Sequence, residues 1–208
     1  MPCCRLCISS TYAVSTGLVA RTDVNITAAH QIAFQVWLAS SLLADSLAVA
    51  AQALIARELG DKKNASIARI SKIADRSCSL GLCLGASLSV ALLILMLVSP
   101  MSLFTRDPTV LDILYTIFPA IIVSQPVNAF AFVLDGVLYG FGEISFAAKA
   151  MAVSALPAIA TMYIGYVLCS SLSLDSVCIL KSVWAGLFVL MVMRSITMLI
   201  RLKNLKES

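Results

Sequence analysis

The 208-residue chain is 60% hydrophobic and only 12% charged, with a mean hydropathy of +0.96, whereas soluble domains hold roughly 45–50% apolar and about 25% charged residues. That balance excludes a water-soluble fold of this length. The formal net charge of +4 is not a nucleic-acid footprint either, because the basic stretch at 57–76 is interleaved with Glu58, Asp61 and Asp75 and contains no aromatic residue.

The charges fall in short clusters that punctuate long uncharged runs, and a helix needs roughly 20 apolar residues to cross about 30 Å of hydrocarbon. In chain order, the first run, 6–20, carries no charge but is short, and it reads as a truncated helix. A signal peptide is the competing reading, since Arg5 precedes an apolar stretch ending in Gly17-Leu18-Val19-Ala20, although its serines and threonines make a poor apolar region. The second run, 33–56, is broken only by Asp45. The third, 77–104, holds no charge. The fourth, 113–138, is uncharged as far as Asp135, and the fifth is 150–172. The sixth, 177–200, carries Lys181 and Arg194 near its two ends, where long cationic side chains snorkel to the interface. The expectation is an all-α polytopic membrane bundle of about six transmembrane helices, forming one membrane domain over 1–208.

Lys and Arg concentrate in cytoplasmic loops. Numbering the sides alternately along six crossings puts 12 of these residues on one side and three, Arg21, Arg106 and Lys181, on the other. Both termini then lie on the cytoplasmic or equivalent side. Cys4-Arg5-Leu6-Cys7 has the spacing of zinc and redox motifs, but a structural zinc site needs a second ligand pair, and the single histidine, His30, does not supply one. The cysteines, including Cys78, Cys83, Cys169 and Cys178, therefore read as small apolar fillers. No metal site and no cofactor is expected.

Polar residues at membrane depth are costly and so mark function. Asp45 lies at the middle of 33–56, where a carboxylate costs roughly 2.5–3.5 kcal/mol. Ser41 precedes it by four residues and Gln52 follows by seven, which sets all three on one helical face. Ser124, Asn128 and Asp135 repeat the pattern on the fourth run, beside Pro119 and Pro126, whose rings release backbone carbonyls. Asp135 either joins that polar face or sits at the interface, about 13 Å from the middle of its span. Broken, polar-faced helices of this kind hold ions or substrates in transporters.

These same residues carry a resemblance. Ala28-Ala29-His30-Gln31-Ile32, Gln35-Val36-Trp37-Leu38 and the run from Leu43 through Asp45 to Gln52 resemble the eighth helix of multidrug and toxic compound extrusion (MATE) transporters, in the branch of the plant detoxification proteins. Leu103-Phe104-Thr105-Arg106-Asp107-Pro108 is similar to the loop after the ninth helix, and Ser124 through Gly136, closed by Tyr139-Gly140, to the tenth. The likeness covers roughly residues 15 to 203 and reaches only the second of the family's two six-helix lobes. It implies proton- or sodium-coupled antiport of organic compounds or xenobiotics, with Asp45, Asn128, Asp135, Gln52, Ser41 and Ser124 along the path. It implies lipid, a small organic substrate, a coupling cation, and a missing N-terminal lobe or a second copy as partners. Asn128 stands where some relatives place a cation-binding aspartate, and 6–20 lacks the glutamate that many relatives carry there. Plastid-membrane members that move citrate or other organic anions are the likeness within the branch. A half-protein that is a non-transporting structural or regulatory partner of another transporter subunit is the alternative reading. A membrane-embedded enzyme would need a catalytic dyad or metal cluster at one depth, and none is in view.

Overall fold

The computed structural model describes residues 2–61, 66–98 and 103–207, with side chains from Ile8 to Lys206 within those ranges. Six helices run in sequence: α1 Pro2–Val19, α2 Val24–Gly60, α3 Ile67–Val98, α4 Pro108–Gly140, α5 Ile144–Ser171 and α6 Ser176–Glu207. The last five are each long and apolar enough to cross a membrane, so the protein is an integral, multi-pass, all-α membrane protein. The Cys4 and Cys7 side chains and the loop residues Lys62 and Lys63 lie outside the described residues.

Most helix ends run past the apolar windows because capping and charge, not hydropathy, set them. Asp23 caps α2 by accepting from the Asn25 amide at 2.9 Å. Asp107 caps α4 by accepting from the Thr109 amide at 2.9 Å, with Pro108 filling the first-turn position where no N–H is needed. Leu103 and Phe104 stand outside α3, although the apolar window runs to 104. The window overlooks Pro100, which disfavours a helical residue before it.

Helix ends alternate between two faces. Arg201 near the end of α6 pairs with Glu143 before α5, Nη2 to Oε1 at 2.8 Å, and Lys206 pairs with Asp75 near the start of α3. These contacts gather the cation-rich loops on one face. One apolar cluster near it contains Ile55, Ile70, Leu138 and Leu202; a second, toward the opposite face, contains Val19, Ile26, Val110 and Leu180. Arg194 does not belong to the interface. It is 2% exposed and ion-paired with Asp135, so removing it from the 12 leaves 11 cations against three, and the asymmetry stands. Snorkelling was the wrong expectation for Arg194 because a carboxylate on a neighbouring helix neutralises it at depth.

Close packing comes from small residues. On α4, a Cβ at Gly136 would strike the Ala48 backbone carbonyl of α2, and one at Gly140 would lie 3.0 Å from the Gln52 carbonyl oxygen. On α3, Gly85 faces the backbone of Pro126 and Gly81 faces Val133. Both pairs are small-xxx-small repeats, which let membrane helices approach without side chains between them. Pro126 cannot donate to the Ile122 carbonyl four residues back. Ser89 of α3 donates to that carbonyl at 2.7 Å, so the carbonyl released by the proline is satisfied within the bundle.

At the opposite face, Cys169 near the end of α5 and Cys178 in the first turn of α6 form a disulfide with Cα atoms 6.0 Å apart. The filler reading fails for these two because the turn from Leu172 to Asp175 folds their helices back on each other. Cys78 and Cys83 remain free thiols.

Candidate functional site

A cavity of about 660 Å³ opens between α1, α2, α4, α5 and α6. From α2 it receives Ser41, Asp45, Ala48 and Gln52, the face anticipated from spacing; from α4 Phe132, Asp135, Gly136 and Tyr139; and from α6 Arg194. Gly136 belongs to this wall, and its missing side chain is what lets α2 and α4 stand close enough to bring Asp45 and Asp135 into one cavity.

The two carboxylates differ in their surroundings. Asp135 is 6% exposed and paired with Arg194. The guanidinium also lies over the Phe132 ring at 5.0 Å and donates from Nη1 toward the Met191 sulfur at 3.8 Å. Asp45 is exposed into the cavity and engaged in none of the ion pairs among the described residues. One acid is thus held by a cation, and the other faces open space. An ion taken from water into low dielectric loses several kcal/mol of solvation unless it is paired, which accounts for the engagement of the buried acid and the exposure of the other.

Asn128 does not line the cavity. It sits 1% exposed behind Ser41, donating from Nδ2 to the Ser41 hydroxyl at 2.9 Å, while Ser41 donates to the Trp37 carbonyl at 2.8 Å. The Asn128 Oδ1 and the Asp135 Oδ1 have no hydrogen-bond partner. Ser124, on the same stripe of α4, is buried and donates to the Ile121 carbonyl; it lines a different cleft, between α4 and α6. The stripe is therefore divided, with Ser124 separated from the acids. Three features escaped sequence reasoning. Arg194 as a cavity residue was signalled by a cation inside an apolar run. Tyr12 of α1 reaches the cavity from the run read as a truncated helix, where no residue was singled out. His30, near the start of α2, is 0% exposed, stacked on Phe34 at 5.7 Å and edge-on to Trp184 at 5.9 Å.

Comparison with known proteins agrees with the resemblance read from the motifs. The MatE family profile matches residues 4–164. Protein DETOXIFICATION 43 of Arabidopsis thaliana is 32% identical over 194 residues, 91% of this chain and 34% of that protein. Protein DETOXIFICATION 44, chloroplastic, of the same plant is 35% identical over 187 residues, 88% of this chain and 33% of the relative. Protein DETOXIFICATION 42, also from Arabidopsis thaliana, is 36% identical over 182 residues, 88% and 33%. The chain spans about a third of the length of these curated relatives. No solved structure matches it.

Proposed function

We propose that this chain, which belongs to the MatE family, forms one lobe of a secondary transporter that exports small organic compounds against an inward flow of protons or sodium ions. The central cavity is the path, and Asp45 is the residue that meets the coupling cation. The observation that carries this reading is the division of labour between two acids: Asp135 is occupied by Arg194, and Asp45 stands open at the middle of a membrane-spanning helix. A carboxylate held at membrane depth at such cost is a functional site by default. The polar surface at Ser41 and Gln52 extends from it along the same wall.

Alternating access arises when one bundle rocks against another around a site between them. The facing surface is assigned to an N-terminal lobe or a second copy of this chain. A plastid membrane is the location suggested by relatives whose names carry the word chloroplastic. In a two-lobed protein reconstituted in liposomes, an imposed proton or sodium gradient should drive efflux of an organic substrate. Asp45→Asn keeps the shape and removes the negative charge, so it should reduce gradient-driven efflux at least about tenfold while leaving gradient-independent substrate binding in place. Coupled efflux at the wild-type rate by Asp45→Asn would reduce Asp45 to a packing residue.

A further inference from the structure

The second cleft, about 360 Å³ between α4 and α6, shares no acid with the central cavity. Its floor is buried and apolar, formed by Trp37, Trp184, Leu187 and Met191, while Val123 and Phe188 on its rim are 68% and 37% exposed. That rim lies on the surface of the bundle, partway along two helices long and apolar enough to cross a membrane. Its volume is at the lower end of the roughly 300–1,000 Å³ typical of small-molecule sites.

The hydroxyls of Thr116 and Ser124 in the cleft wall donate to carbonyls of their own helix, Asp112 and Ile121, which leaves two uncommitted donors, both at one end. Lys181 is exposed at its mouth and makes no ion pair among the described residues. Trp184, 4% exposed, has an indole Nε1 without a hydrogen-bond partner. Residues three apart on a helix are surface neighbours, so these two donors, a full positive charge and an N–H, stand side by side on α6. Phe188 and Met191 follow one and two turns farther along the same face, and they are apolar. Asp112, one turn from Thr116 along α4, does not line the cleft. Since α6 begins at Ser176, the donor end lies near the membrane surface and the apolar end lies deeper.

We infer that this cleft is a second binding site, for a membrane-borne anionic amphiphile whose carboxylate or phosphate sits between Lys181 and Trp184 Nε1 and whose acyl chain runs down toward Met191. The order of chemistry along α6 matches the order along a lipid in its leaflet, head at the interface and chain inward. The Nε1 donor needs an acceptor because a buried indole N–H without one loses its hydrogen bond to water. Neither argument depends on transport through the central cavity, so this site stands or falls separately from the proposed function.

Trp37 and Trp184 are the two tryptophans of the chain, and both line the cleft, so intrinsic fluorescence reports it directly. The full chain in phosphatidylcholine nanodiscs is titrated with 9,10-dibromostearic acid, with its uncharged methyl ester, and with a brominated phosphatidic acid. The expected result is saturable quenching by one or both acids at a mole fraction about tenfold lower than the ester requires, the worth of one charge-assisted hydrogen bond. The tighter acid tells a free carboxylate from a phospholipid head. Lys181→Gln should bring the acid curve onto that of the ester, and Ala120→Phe, which fills the cleft, should abolish saturation, both in variants with wild-type elution and circular dichroism. Identical quenching by acids and ester in the wild type, or acid curves unmoved by Lys181→Gln, would overturn the assignment.

Discussion

The cavity and the cleft are both lined by α4 and α6, yet they handle charge in opposite ways. The cavity builds charge into its walls, with Asp135 and Arg194 neutralising each other and Asp45 facing open space. The cleft has apolar walls and keeps its one charge, Lys181, at the mouth. The difference follows from depth. A cation in the second turn of its helix can reach water along its stem, whereas Arg194 is buried and requires a counter-ion. Charge in the cavity should therefore be structural as well as functional, and charge in the cleft should be dispensable for folding.

Four variants test that contrast, read as apparent stability by thermal unfolding in detergent. Gly136→Val removes the cavity wall itself, because the new side chain would collide with the Ala48 carbonyl, and backbone cannot turn aside as a rotamer does. The expected cost is at least about 4 kcal/mol, seen as loss of the monodisperse folded species. Arg194→Met strands Asp135 without its partner, and breaking a buried pair costs about 3–5 kcal/mol, whereas replacing both members with apolar residues is often close to neutral. The double variant Asp135→Leu/Arg194→Met should therefore be more stable than Arg194→Met alone; equal instability would mean that the pair is not what fixes α4 to α6. Lys181→Gln should change stability by less than about 0.5 kcal/mol, as for surface substitutions away from packed features. A larger loss would erase the distinction between the two regions.

Much of the bundle was legible in the sequence because membrane insertion is a one-dimensional problem. Run length locates a span and loop charge orients it, with no knowledge of which helix touches which. The face shared by Ser41, Asp45 and Gln52 was legible for the same reason, since helical periodicity is local. Contacts between helices were not. Arg194 was assigned to the interface because nothing along the chain points from α6 back to Asp135, and Ser124 was grouped with Asp135 because a shared stripe on α4 does not reveal that neighbouring helices divide it. Cys169 and Cys178 looked like fillers of separate spans until the α5–α6 turn brought them together. The glycine repeats at Gly81 and Gly85 and at Gly136 and Gly140 were a readable signal that went unread, and they mark both helices that pack closely against α4.

The close approach at Gly136 and Gly140 also has a mechanical consequence. At Gly136 the backbones of α2 and α4 meet with no side chain between them, and at Gly140 the Ile55 side chain seats against the bare Cα, so neither contact leaves room to absorb sliding. Packed interfaces of this kind are bistable or fixed; they do not deform continuously. The two helices must travel as a single lever. Asp45 rides on one arm and Asp135 on the other, so this contact fixes the spacing of the backbone positions that carry the two carboxylates. Arg194 belongs to α6, outside the lever, so its pairing with Asp135 is the charged tie between α6 and that rigid pair.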